Sequence, residues 1–158
     1  MKEILILPKG VTGFTSFREN FELPELTEEI LSKVLDDLEL RTSFKRIGVM
    51  EPTHDTNYYS VFLKNNENKK LLLLFNGHHP YYASITTTRV NGVASYLESV
   101  CQEVYEVLDD NGFVFLSKEI LNTKINNTIL RNLTKAELEE IEYWQSETIG
   151  EVVFNRYD

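Results

Sequence analysis

Proton-transfer or metal chemistry in this chain centres on its three histidines, His54, His78 and His79. Imidazole titrates near neutrality and is the commonest metal ligand. His78 and His79 follow an unbroken apolar run, Leu71 to Phe75, and Asn76-Gly77; a proline, two tyrosines and a threonine-rich stretch come next. On a strand, adjacent histidines point to opposite faces and cannot share one metal. In a turn they can converge. His54, Asp55 and Glu51 are the candidate third ligands, provided the loop Pro52 to Asn57 lies beside that turn. A small metal-dependent or acid–base enzyme centred on His54, His78 and His79 is therefore the alternative reading. No HExxH or other metal-ligand spacing supports it.

The remaining reactive residue types give less. Cys101 lies on an apolar helical stripe between Val100 and Val104, where a cysteine acts as a small hydrophobe. No nucleophile elbow is present for Ser/His/Asp chemistry. Gly10-Val11-Thr12-Gly13 lacks the GKS or GKT of a phosphate-binding loop and reads as an ordinary turn. Catalytic residues are thus none, and no cofactor is expected.

The chain carries 25 acidic and 16 basic residues, a formal charge of −9. Nucleic acid demands a basic face, and an anionic membrane surface does too, so neither is expected as a partner. The acidity is concentrated in the helical segments. Residues 18–40 hold eight acidic and two basic residues, and residues 98–110 hold five acidic and none basic. Residues 135–151 set six glutamates against one lysine. Arg41, Lys45, Arg46, Lys64, Lys69 and Lys70 cluster instead around the strands. Glu28, Glu29, Asp36, Asp37, Glu139 and Glu140 are the carboxylates expected to meet a basic protein. Of the couples Tyr58-Tyr59 and Tyr81-Tyr82, one tyrosine each should face outward. Tyr59 and Tyr82 join the expected contact residues, with Thr86 and Thr88 beside them, because tyrosine is enriched at interfaces.

At 158 residues, with 42% hydrophobic and 26% charged side chains, the chain reads as a single globular domain over residues 1–158. One cysteine permits no internal disulfide, which favours a reducing compartment. The N-terminus is too quickly interrupted for a signal peptide, and no apolar run spans a bilayer. The expectation is a cytoplasmic protein, and its Asn, Lys, Glu and Ile usage is that of an AT-rich bacterial genome.

The elements that would hold these residues follow from periodicity. Glu3 to Leu7 reads as a short strand. Leu26, Ile30, Leu31, Val34, Leu35 and Leu38 recur at helical spacing behind Thr27, giving a helix over about residues 27–40. Arg46–Glu51, Tyr58–Lys64, Lys69–Phe75 and Tyr81–Thr88 alternate or are apolar throughout, and short polar turns join them. Asn76-Gly77 is a strong hairpin signal because both tolerate positive φ. Asn91-Gly92 breaks the sheet. Val93, Leu97, Val100, Cys101, Val104 and Leu108 form a helical stripe, followed by a short strand Phe113–Leu116 and a short helix capped by Ser117. Thr134 and Glu137 match a capping box that opens a helix over about residues 135–145, burying Leu138, Ile141 and Trp144. The apolar tail 148–158 should pack on the body, as helix or strand. The fold class is α+β: an antiparallel meander of four to five strands packed against two or three amphipathic helices, a single pair of layers.

The leading reading is a non-enzymatic acidic protein-binding module. In size, acidity and want of a catalytic set the chain resembles in type the small immunity proteins that neutralise bacterial toxins. Those proteins are often acidic because many of their targets are basic nucleases. That likeness implies a basic protein partner. A small-ligand pocket lined by tyrosines is the remaining possibility.

Overall fold

The computed structural model describes residues 5–16, 18, 19, 21–87 and 95–157. Glu3, Thr88, Asn91, Gly92 and Val93, on which parts of the strand, contact-surface and helix expectations fall, lie outside them.

Helix α1 (Glu28–Arg41) begins where Thr27 turns its hydroxyl back to accept from the Ile30 amide, and it buries Leu31, Val34, Leu35 and Leu38. Strands β1 (Lys45–Met50), β2 (Tyr58–Lys64), β3 (Lys70–Asn76) and β4 (Tyr81–Ile85) pair antiparallel in sequence order. After α2 (Gln102–Asp110), the two-residue strand β5 (Val114–Phe115) adds to β4 in parallel. The α+β class and the mostly antiparallel five-stranded sheet are those the periodicity indicates. Four further helices follow: α3 (Lys118–Leu121), α4 (Asn127–Leu130), α5 (Lys135–Trp144) and α6 (Ile149–Val153).

Strict alternation on β2 divides the core. Tyr59, Val61 and Leu63, with Leu73 and Phe75 of β3 and Tyr82 of β4, pack beneath α1 and α2. Leu74 and Ala83 face the other way and pack with α6, Ile141 of α5 and the segment around Leu7 and Val11. The helices therefore cover both sheet faces, α1 and α2 on one, α3–α6 on the other.

Three local expectations differ from the structure. Leu5–Leu7 form no strand; Leu7 is buried, and its amide donates to the Ile129 carbonyl at 3.0 Å. The stripe before Gln102 is not helical. Tyr96 bridges Ile85, and the Leu97 amide donates to the Ser84 carbonyl, so long-range pairing overrides helical spacing. Neither Asn76 nor Gly77 has positive φ. Gly77 is needed because a Cβ there would stand 2.8 Å from the Asn57 carbonyl oxygen. The tail resolves as helix α6 followed by buried Phe154, Asn155 and Tyr157. No helix among the described residues is long and apolar enough to cross a membrane.

Candidate functional site

Alternate turns of a meander share one end of the sheet, so the β1–β2 and β3–β4 loops should meet. They do: the Gly77 amide donates to the Asn57 carbonyl at 2.7 Å. Between them opens a cleft of about 290 Å³, lined in part by Glu25, His54, Asp55 and His78, with Phe14 and Tyr157 as aromatic wall.

A lattice of buried amides builds the floor. Asn57 and Asn76 each donate through Nδ2 to the carbonyls of both Val11 and Val153, at 2.7–3.1 Å. Asn155 donates its backbone N–H to Asn57 Oδ1 at 2.9 Å and its side-chain amide to the Thr12 carbonyl at 3.0 Å. Asn76 Oδ1 accepts from the amides of His78 and His79, which shapes the turn. Buried polar groups must find partners, and here three asparagines join the loop at 11–12, the β3–β4 turn and the end of α6.

Glu137 is the second anchor. It stands at the third position of α5 in a complete capping box with Thr134. Its carboxylate is wholly buried and reaches a loop more than a hundred residues away. Oε1 accepts from the amides of Gly10 at 2.8 Å and Thr134 at 3.2 Å; Oε2 accepts from the amide and hydroxyl of Thr12 at 3.0 and 2.6 Å. The positive φ of Gly10 and Gly13 bends this loop into a cradle of amides. The expected core residue Leu138 is instead 40% exposed, because the helix face that turns inward carries Glu137 and Ile141. Trp144 is half-buried and stacks on Tyr157 at 5.7 Å, which in turn stacks on Phe14 at 5.6 Å.

The three histidines do not converge. His78 Nδ1 lies 2.8 Å from the Pro24 carbonyl, and His79 Nε2 lies 2.7 Å from the Lys9 carbonyl. A carbonyl only accepts, so those two nitrogens carry the protons and the tautomers are fixed. Burial holds the His78 imidazole below its ordinary pKa; the Pro24 hydrogen bond opposes this, and His79 adds to it. His54 is 93% exposed and pairs with Asp55 at 3.2 Å. Among the described residues no group of three His, Cys, Asp or Glu side chains is placed to hold a metal ion.

The expected contact residues also separate. Tyr59 and Tyr82 are buried under α1 and α2, so neither is on a surface a partner would meet. Helices cover both faces of the sheet there, and Tyr58 and Tyr81 pack into the opposite core. Asp36 is bonded to Arg46, which also holds Glu39 at 2.8 Å. Asp37 pairs with Arg41 at 3.1 Å and accepts from Asn111 at 3.0 Å, which lowers its pKa. These two carboxylates are neutralised within the chain. Glu29 and Glu139 make exposed pairs with Lys33 and Lys135, of a kind worth little. Glu140 accepts from the Trp144 indole at 3.1 Å. Helices α1 and α5 lie on opposite faces, so their carboxylates form no single helical surface.

Glu28 is different. Its pKa is raised because it shares a hydrogen bond with the Glu51 carboxyl and feels that group's charge. Tyr59 behind it is raised by burial and then by Glu51, Glu25 and Glu28. No described lysine or arginine makes an ion pair with Glu25, Glu28 or Glu51.

Sequence reasoning did not single out Asn57, Asn155 or Thr12 for a site, and it read Asn76 only as part of a hairpin turn and Glu137 only as a capping-box position. Comparison of the chain with protein-family models, with curated proteins and with solved structures gave no match.

Proposed function

We propose that this chain is a non-enzymatic binding protein that docks a basic protein through the acidic end of its sheet, in the manner of an immunity or inhibitor protein. One observation carries the reading: Glu25, Glu28 and Glu51 all act on Tyr59, which lines the cleft with Glu25, and no described lysine or arginine forms an ion pair with any of the three. A carboxyl whose pKa a neighbouring carboxylate raises, as Glu51 does for Glu28, is poised to be stabilised by an incoming ammonium or guanidinium. The half-buried Phe14 ring on the cleft wall, backed by Tyr157, adds a face on which such a cation can rest. A cleft of about 290 Å³ has room for a side chain. Carboxylates around it would also speed encounter with a positively charged surface. The buried amide lattice keeps the cleft preformed, which limits the ordering cost of binding.

The test is capture of protein from lysate of the source organism on immobilised wild-type chain and on a Glu25→Gln/Glu28→Gln variant. The expected result is one basic partner, held less tightly as salt shortens the screening length below about 10 Å, and held poorly by the variant. Equal capture by the variant, or a partner without basic character, refutes the assignment.

A further inference from the structure

The His78 ring is clamped between two segments at the wall of the cleft. Its Nδ1 donates to the Pro24 carbonyl at 2.8 Å. Its Nε2 lies against Gly13, where a Cβ would stand 2.7 Å from that nitrogen. Gly13 has a positive φ and carries no side chain to cover the ring. The next residue of each segment, Phe14 and Glu25, lines the cleft with His78. An imidazole whose proton sits on Nδ1 offers a lone pair at Nε2. Among the described residues no donor takes it. Burial, with some help from His79, holds the ring below its ordinary pKa against the Pro24 hydrogen bond and the charges of Glu25 and Glu137. The ring is therefore neutral at physiological pH.

The side-chain amides and the Tyr59 hydroxyl of the lining have no donor to spare. Asn57 Nδ2 serves the Val11 and Val153 carbonyls, and Asn155 Nδ2 serves those of Thr12 and Val152. The Tyr59 hydroxyl donates to the Leu26 carbonyl at 2.9 Å. No described lysine or arginine lines the cleft. Two unlike acceptors remain beside the Phe14 ring: the Glu25 carboxylate and the neutral His78 nitrogen. Asp55 adds a carboxylate already engaged by His54 at 3.2 Å. A lysine ammonium is a compact point charge that holds its water. A guanidinium is planar and weakly hydrated, carries five donors in a fixed fork and stacks on aromatic faces.

We propose that the cleft reads arginine and discriminates against lysine: a partner's guanidinium lies against Phe14, donates from one arm to Glu25 and from another to His78 Nε2. This rests on the cleft reading above and adds the identity of the side chain that enters. Glu25 serves either cation, whereas His78 is the contact that sets the preference.

The probes are Nα-acetyl-arginine methylamide and Nα-acetyl-lysine methylamide, titrated at constant ionic strength into the full isotope-labelled chain at about pH 7.5. The arginine probe should bind with a Kd on the order of 1 mM, and the lysine probe about tenfold more weakly. Long-range nitrogen–proton spectra should show the arginine probe moving the His78 Nε2 resonance and leaving the His79 ring in place. A ring held only for structure would not respond. His78→Leu, where circular dichroism shows it folded, should bind the two probes alike. Equal binding of the probes by wild type, binding of neither, or an unmoved His78 Nε2 overturns the proposal. The reading of a basic partner is judged separately, by capture on Glu25→Gln/Glu28→Gln, which a partner offering lysine satisfies equally well.

Discussion

Replacing Glu137 with alanine should destabilise this protein more than any surface change. The carboxylate answers four donors: the amides of Gly10, Thr12 and Thr134 and the Thr12 hydroxyl. A buried donor left unpaired costs about 1–3 kcal/mol. The Thr12 hydroxyl already accepts from the Phe14 amide and can rotate, and the Thr134 amide belongs to the capping box. That leaves the Gly10 and Thr12 amides as the two full losses, or about 2–6 kcal/mol. Loss of half the capping box adds about 1 kcal/mol. A total of about 3–7 kcal/mol is a large part of the ~5–15 kcal/mol that holds an ordinary domain together. Glu137→Gln should cost less, because its one oxygen still serves one donor pair while its amide faces the Thr12 hydroxyl. The assay is urea unfolding followed through Trp144, the only tryptophan, with hydrogen exchange at residues 10–13 to localise the effect. A Glu137→Ala variant within about 1 kcal/mol of wild type, or loosening elsewhere than in that loop, would refute the reasoning.

Three other perturbations follow from the same geometry. His78 is held below its ordinary value of 6.5, chiefly by burial. The unfolded chain therefore takes up this proton first, and stability, constant above pH 6.5, should fall as pH drops through 6.5 toward the folded value. His78→Gln should flatten that fall in urea midpoints measured at successive pH, and an unchanged slope counts against it. Gly77→Ala drives a methyl to 2.8 Å from the Asn57 carbonyl oxygen and should cost about 1–3 kcal/mol in denaturant unfolding; wild-type stability would show that the close approach relaxes freely. Glu28→Gln removes a carboxyl pressed against Glu51, so the melting temperature should rise, and rise less in high salt; a fall would mean that a cation neutralises the pair.

Local signals made much of this fold legible. Thr27 before a helical stripe gave α1, and Thr134 with Glu137 gave α5. Alternation from Arg46 onward gave the meander, and shared turns placed His54 near His78. What escaped was decided by partners distant in sequence. Nothing near Glu137 says that it faces Gly10 and Thr12, 127 and 125 residues away. Asn57 and Asn76 read as loop and turn residues and Asn155 as part of an apolar tail, and only the assembled lattice shows them as its joints. The pattern at Leu97 is helical in isolation, but Ser84 claims its amide. Tyr59 and Tyr82 looked like contact residues because a meander ordinarily leaves one face bare, whereas here helices lie over both.

The asparagine lattice has a temporal side. Asn155 grips the Thr12 carbonyl across 143 positions, and Asn57 and Asn76 wait for a carbonyl at Val153. On a ribosome, the early loop must stay unlatched until that late stretch has emerged. Such a long closure is entropically slow. Nicking the chain ahead of Val152 would strip the early loop and two interior amides of their partners at a stroke, so the last helix works as a quality check on the whole.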